Sequence, residues 1–150
     1  MNKNVCQFFL VGSVVATAWP IYARDTQYLL PIATALESKE AVGKLDGSVT
    51  FRFGRESSPQ VIEILRSETV RGKAHTSRGT MEKLCNESFL SAMVQLQKSA
   101  KRRGVNAVVN IVSAFQGYPE MSSATQYECY QGTLTTSAML RGDIVKIADK

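Results

Sequence analysis

Two interior cysteines, Cys85 and Cys129, are the residues of this 150-residue chain whose chemistry depends most on where the protein resides. A third cysteine, Cys6, stands at the beginning of an apolar run near the N-terminus. Thiols persist in reducing compartments, and pairs of them oxidise to disulfides in exported proteins. The state of these cysteines therefore depends on whether the chain is exported.

The N-terminus has the form of a secretory signal peptide. Residues 1–4 carry one lysine, residues 5–18 are nearly all apolar or small, Pro20 interrupts the run, and Ala23 offers a small residue for cleavage. A helix of that apolar length spans roughly 21 Å, short of the ~30 Å hydrocarbon core of a bilayer. We therefore predict a signal peptide over residues 1–23 and one domain over residues 24–150, located in the periplasm or secreted.

Cleavage of the signal leaves two cysteines. Cys6 lies at the beginning of the apolar run rather than at its end, so it is not placed as a lipid-bearing cysteine and leaves with the signal. An even number of cysteines in an oxidising compartment indicates one disulfide, here Cys85 with Cys129. The alternative, two unrelated buried thiols, requires the signal prediction to be wrong.

Other residues offer little catalytic chemistry. His75 is the only histidine and lies in a predicted turn, without the partners that a metal site or a nucleophile needs. Gly72-Lys73 resembles part of a phosphate-binding loop, but Ser67 stands where the first glycine belongs and Ala74 follows the lysine. We predict no ATP binding and no catalytic, cofactor or metal residues.

The charged residues favour no particular ligand. Glu37 and Glu40 fit a solvated helix face better than an acid–base pair. The net charge of +5 is spread along the chain, and the basic residues lack the clustered aromatic side chains of single-strand nucleic-acid grooves. Nucleic acid is therefore not an expected partner.

One long helix and the strand after it organise the predicted fold. Thr80 is a suitable N-cap, Gly104 follows four basic residues, and a helix is predicted from Thr80 to Arg103. Leu90 and Val94 lie off its apolar stripe, which predicts a second contact with the N-terminal segment or another subunit. The core stripe of the helix consists of Cys85, Phe89, Ala92, Leu96 and Ala100.

The remaining pattern predicts strands. Short helices are expected within residues 24–45, a strand over 48–53, an edge strand over 60–74 and a central strand over 105–115, whose odd-numbered apolar residues share one face. A hairpin loop over 116–124 leads to a long strand over 125–140, and Gly142 divides it from a last strand. Because strict alternation would turn Leu134 and Ala138 away from the face of Cys129, we predict a β-bulge at Gly132.

Three segments resemble a known family. They are residues 84–92, which contain Cys85, residues 104–113, which begin Gly-Val-Asn-Ala-Val, and residues 128–132, which contain Cys129. They resemble small exported proteobacterial proteins of unknown function that are often labelled as the ATPase subunit of the ABC excinuclease. The missing phosphate loop and the signal peptide conflict with that label.

A more distant resemblance is to the lipoprotein that senses envelope stress for the Rcs phosphorelay, and to YbjQ-like heavy-metal-binding proteins. In the sensor, a cysteine before the helix pairs with one on a late strand, and Cys85 and Cys129 would occupy those places. The resemblance implies the same kind of fold. Thr135 stands where the sensor has a cysteine of its second bridge.

We therefore predict one α+β domain with an antiparallel-rich sheet, one long helix across a face of the sheet, and a disulfide joining the two. The expected function is that of a non-enzymatic envelope protein acting through contacts with a protein partner, with homo-oligomerisation as one form of contact. Two alternatives remain: a nucleic-acid-linked protein, as the excinuclease label implies, and a heavy-metal-binding module.

Overall fold

The computed structural model describes residues 25–55 and 60–148. The predicted signal peptide, residues 1–23, lies outside these residues. The elements in chain order are β1 (Thr26–Pro31), α1 (Ile32–Leu36), α2 (Lys39–Lys44), β2 (Thr50–Phe53), β3 (Val61–His75), a 3-10 turn (Thr76–Arg78), α3 (Met81–Arg102), β4 (Ala107–Ser113), β5 (Gln126–Gln131) and β6 (Thr135–Ile147).

The long strand β6 is the centre of a curled, mostly antiparallel sheet. β3 pairs with it from Val61 to His75, while β5 and β4 pair with successive parts of its other edge. β1 extends the sheet beyond β5, and β2 adds to β4 in parallel. With α3 packed against this sheet, the predicted α+β class is confirmed.

Helix α3 begins and ends where the sequence predicts. The Thr80 hydroxyl accepts a hydrogen bond from the Lys83 amide at 3.4 Å, which satisfies one of the free N–H groups of the first turn. Gly104 follows the helix with φ of 67°, a left-handed conformation that glycine adopts without strain. Lys101 and Arg102 in the last turn are favoured by the helix dipole.

The core lies between α3 and the sheet. All five residues of the predicted stripe are fully buried, and they cluster with side chains from β4, β5 and β6. Leu90 is buried in the same cluster as Ile32, Ala35 and Ala41, because α1 and α2 both pack against α3. The second contact of the helix is therefore with the N-terminal segment, one of the two predicted alternatives. No helix in the described residues is long and apolar enough to span a bilayer.

The predicted strand over 125–140 is wrong. The chain forms a hairpin there, in which β5 ends at Gln131, residues 132–134 turn, and β6 begins at Thr135. The Gly132 amide donates to Thr135 O at 2.9 Å across the turn. Reversal of the chain, rather than a bulge at Gly132, brings Ala138 back to the core and leaves Leu134 exposed. β6 also continues through Gly142, which does not divide it.

The face assignment of the central strand is also wrong in part. β4 is central, between β6 and β2, as predicted. However, Asn110 has φ of 51°, and the pairing with β6 shifts between Val109 and Val112. This irregularity breaks the alternation, so that Val109 packs with Val145 on one side while Ile111 joins the core under α3.

Two further corrections concern connections. Residues 116–124 do not join two paired strands as a hairpin between β4 and β5 would, because both strands pair with β6. The chain reversal that the loop does make is closed by an isolated antiparallel bridge between Ser113 and Met121. The predicted short helices are present within residues 24–45, but strand β1 precedes them. His75 is the last residue of β3 rather than part of the turn, and it is exposed.

Candidate functional site

The predicted disulfide joins Cys85 in the second turn of α3 to Cys129 in β5. The two Cα atoms are 5.7 Å apart, within the usual range for a bridge. Both cysteines are fully buried. Thiol–disulfide exchange requires access of an attacking thiolate, so this bridge is placed to stabilise the fold rather than to exchange.

Aromatic side chains surround the bridge. Phe89, one turn after Cys85, stacks on Tyr127 with ring centroids 4.3 Å apart, and Phe53 of β2 lies 5.9 Å from Phe89. The Tyr127 hydroxyl donates to Asn86 Oδ1 at 2.7 Å. Burial, with a smaller effect of Glu82, raises the pKa of Tyr127, so it remains a neutral hydrogen-bond donor.

The two asparagines of residues 104–113, Asn106 and Asn110, bond to residues of β6. The Asn106 side chain donates to Ile147 O at 3.2 Å and accepts from Ile147 N at 3.0 Å, so it substitutes for a backbone partner of β6. The Asn110 amide donates to Asp143 Oδ2 at 2.8 Å beside the irregularity in β4. Neither residue was assigned a role from the sequence, and asparagines interrupting an apolar strand were the available signal.

Glu128 and Tyr130 form a buried polar pair on the face of β5 that points away from Cys129. Glu128 accepts from Gln27 Nε2 at 2.7 Å, and its other carboxylate oxygen makes no hydrogen bond of ordinary geometry within the described residues. Burial raises the pKa of Glu128, while contacts with Tyr130 and Gln27 oppose the shift. Burial and the Glu128 charge raise the pKa of Tyr130 to about 12. This pair, which alternates with Tyr127 and Cys129 along β5, was not predicted from the sequence.

The loop after β4 covers Tyr130. The Phe115 ring stacks on Tyr130 with centroids 3.9 Å apart, and the Tyr118 ring lies 4.7 Å from Tyr130. The Arg71 guanidinium of β3 lies 4.8 Å from the centre of the Phe115 ring, a cation–π distance. Tyr130 is thus enclosed by the protein's own aromatic side chains.

A shallow groove of about 300 Å³ opens at the start of α3. Glu40, Glu82 and Glu87 make it mainly acidic, and Lys83 is its basic residue. The three carboxylates do not converge as metal ligands: the described residues contain no group of three or more His, Cys, Asp or Glu suited to a metal ion. The groove is also lined by Ser38, Thr80, Asn86 and Leu90.

The residues that resembled a phosphate loop have a packing role. A Cβ on Gly72 would lie 1.8 Å from Ser88 O and 2.6 Å from Ala92 N, so the glycine allows the backbone of α3 to contact β3. Lys73 is on the exposed side of the strand. The geometry of a nucleotide site, successive amides around a phosphate, is not what this strand presents.

Comparison with family models, curated proteins and solved structures finds no match for this chain.

Proposed function

We propose that this chain is a non-enzymatic exported protein of the cell envelope, periplasmic or secreted, that acts through contacts with other proteins. The observation that carries the proposal is the buried Cys85–Cys129 disulfide joining α3 to β5. A structural disulfide of this kind persists in oxidising compartments and is rare in the cytosol of mesophiles. The N-terminal pattern of residues 1–23 independently supports export.

The arrangement of the polar residues supports a role without catalysis. Ser88 and Thr136 bond each other and Leu84 O in the interior, Asn106 bonds Ile147, and Gln97 bonds the end of α2 through Lys44 O. Apart from the bond of Ser88 to Leu84 O within α3, each of these interactions fixes one element to another. We therefore expect neither ATP nor DNA to be a ligand, in contrast to the excinuclease label.

Export is tested by expressing the full chain with its own N-terminus in a Gram-negative host and fractionating the cells. We expect the protein in the periplasmic or extracellular fraction, beginning at Arg24, with a mass that corresponds to one disulfide. Intact-mass spectrometry with thiol alkylation before and after reduction measures both properties.

A matched control lacks residues 2–23 and should remain in the cytosol with Cys85 and Cys129 reduced. Recovery of the full-length chain in the cytosol, with residues 1–23 intact, would contradict the proposal.

A further inference from the structure

One edge of β3 has no strand partner among the described residues. β6 occupies the other edge over the full length of β3. The second half of β3 lies against α3 at Gly72, and Gln95 Nε2 of α3 donates to Arg71 O at 2.8 Å. The contact continues to Glu68, whose carboxylate accepts a hydrogen bond from Ser99 of α3 and pairs with Arg103 at the end of the helix. Residues 61–66 extend past it. Unpaired strand edges present N–H and C=O groups that another strand can bind.

This free segment also exposes apolar side chains. Ile62, Ile64 and Leu65 are 62%, 64% and 37% exposed. Isolated exposed apolar residues are common, but three within four residues on a free strand edge form a patch of the kind that marks interaction sites. The charged residues between and after them, Glu63 and Arg66, form no ion pair within the described residues.

The pairing of β3 with β6 places Glu63 and Arg66 on the same face. Glu63 lies opposite Lys146 and Arg66 opposite Ile144, with an irregularity between Ile64 and Arg66 that inserts Leu65. Lys146 and Ile144 are two residues apart, so they project from one face of β6. Glu63 and Arg66 therefore share a face although they are three residues apart, which a regular strand would not allow.

We propose that this segment pairs antiparallel with the same segment of a second copy of the chain. The two copies are related by a two-fold axis that passes between the strands, level with the bond from Ile64 to Leu65. In that register Glu63 of each copy lies opposite Arg66 of the other. Ile64 lies opposite Leu65 of the second copy in the same way. The shared face of Glu63 and Arg66 allows each carboxylate to meet a guanidinium across the new strand pair.

The self-complementary charges favour a second copy over an unrelated strand. A two-fold interface uses one patch twice, so that each residue must meet its complement within the same segment, and Glu63 with Arg66 satisfies this condition. Bulges and charges on an edge discourage strand pairing in general, so a strand that pairs here must match both. The segment is short, so the interface falls at the small end of specific contacts and the dimer should dissociate in the micromolar range. This inference does not depend on export.

Charge reversal tests the register. The full-sequence chain, purified with its disulfide intact, is measured by sedimentation equilibrium from about 1 to about 100 µM, a range that brackets the expected dissociation constant. With Glu63→Arg, the new arginine of each copy faces Arg66 of the other, and with Arg66→Glu, the new glutamate faces Glu63. Each variant alone therefore places like charges opposite each other and should dimerise about tenfold more weakly than the wild type. A mixture of the two variants restores both opposite-charge pairs and should form a heterodimer with an affinity close to that of the wild type.

Apolar variants provide the second comparison. Ile64→Asp places a carboxylate beside the axis and should abolish dimerisation, whereas Val42→Asp alters a residue that is 78% exposed on α2 and should not. Circular dichroism melting of each variant confirms that the monomer is folded. A wild type that remains monomeric throughout, as it would if another segment of the chain covered the edge, overturns the proposal. So does a dimer that is insensitive to Ile64→Asp, or a variant mixture that fails to associate.

Discussion

Glu128 is a carboxylate buried within the fold. It is 6% exposed, its carboxylate has one hydrogen bond from Gln27, and it lies beside the fully buried Tyr130. A buried carboxylate loses hydration that these contacts replace only in part, so its pKa is raised above the ordinary value of 4.5. The folded protein therefore binds this proton more tightly than the unfolded chain does.

The sign of the resulting pH dependence follows from the raised pKa. As the pH rises from about 4.5 through the folded pKa, the unfolded chain releases the Glu128 proton first, so this residue's contribution to stability decreases. Glu128→Gln removes the titration and keeps an oxygen that accepts from Gln27. We expect the variant to melt at a higher temperature than the wild type at pH 7 to 8, and the difference to shrink as the pH falls below the raised pKa. Melting curves across this pH range provide the measurement.

Glu63→Gln is the control for this prediction, because Glu63 is an exposed glutamate that the same substitution alters without removing a buried charge. At low protein concentration it should change the melting temperature little at any pH. A Glu128→Gln variant that is less stable than the wild type at neutral pH would show that the carboxylate is favourable where it lies.

At the scale of elements, the close contact between α3 and β3 depends on a glycine, Gly72, in β3. The backbone of the helix approaches Gly72 so closely that any Cβ would overlap Ser88 O. Ser88 also bonds Thr136 of β6 through its side chain, at 2.9 Å between the two hydroxyl oxygens. The helix is therefore fixed against two adjacent strands at this point, and it cannot move away from one without loss at the other.

We expect Gly72→Ala to destabilise the domain by about 3 kcal/mol or more, because the added methyl group must displace the helix backbone rather than a flexible side chain. Gly43→Ala is the matched control: Gly43 lies within α2 and a Cβ there would meet nothing within 4 Å. That change should stabilise by about 0.5 to 1 kcal/mol through helix propensity. Urea unfolding of both variants gives the comparison, and equal effects would contradict the close contact at Gly72.

Local signals in the sequence were sufficient for α3 and insufficient for the sheet. Thr80, Gly104 and the apolar stripe act within one or two helical turns, so the sequence predicted the helix and the burial of Cys85. The turn at residues 132–134 lacks an Asn-Gly or Asp-Gly pair, and its threonine-rich flanks look like one continuous strand. Asn110 adopts a positive φ, for which an asparagine within an apolar strand is only a weak signal, and it changes the facing of the residues after it.

The pairing of strands depends on contacts that are distant in the sequence. β1 joins the sheet through β5, about a hundred residues later, and β2 joins in parallel through β4. Nothing in the residues of β1 alone distinguishes it from the start of the helical segment that follows.

The bridge between Cys85 and Cys129 was predictable from the sequence, because the prediction needed only the number of cysteines and the compartment in which they lie. The polar pair at Glu128 and Tyr130 was not, because Tyr130 is covered by the loop after β4 and Glu128 is bonded by Gln27 of β1, both distant in the sequence.

At the scale of the whole molecule, the disulfide joins the two layers of the domain. Cys85 belongs to the helix layer, and Cys129 belongs to β5, which holds β1 on one edge and β6 on the other. The direct pairing of β5 with β6 covers only two residue pairs, Tyr130 with Ser137 and Gln131 with Thr136. The β1–β5 part of the sheet therefore depends on the bridge and on Tyr127 for its attachment to α3.

We accordingly expect the bridge to supply much of the domain's stability. It closes a segment with a sequence separation of 44, for which chain entropy gives on the order of 4 kcal/mol. Domains of this size have roughly 5 to 15 kcal/mol in total. Cys85→Ala and Cys129→Ala should lower the melting temperature by similar amounts, and the double variant should add little, because either change alone opens the same loop. Alanine is preferred to serine, since serine would place a hydroxyl in the apolar core beside Phe89.

Reduction of the wild type provides the control. With a reductant present during melting, the wild type should unfold near the temperature of the single variants, while the variants themselves should not change. The bridge acts mainly by restricting the unfolded chain, so the three proteins then share the same unfolded reference. Losses from the two single variants that simply add, or labelling of both native thiols without reduction, would mean that Cys85 and Cys129 act independently and that side-chain packing alone holds β5 to α3.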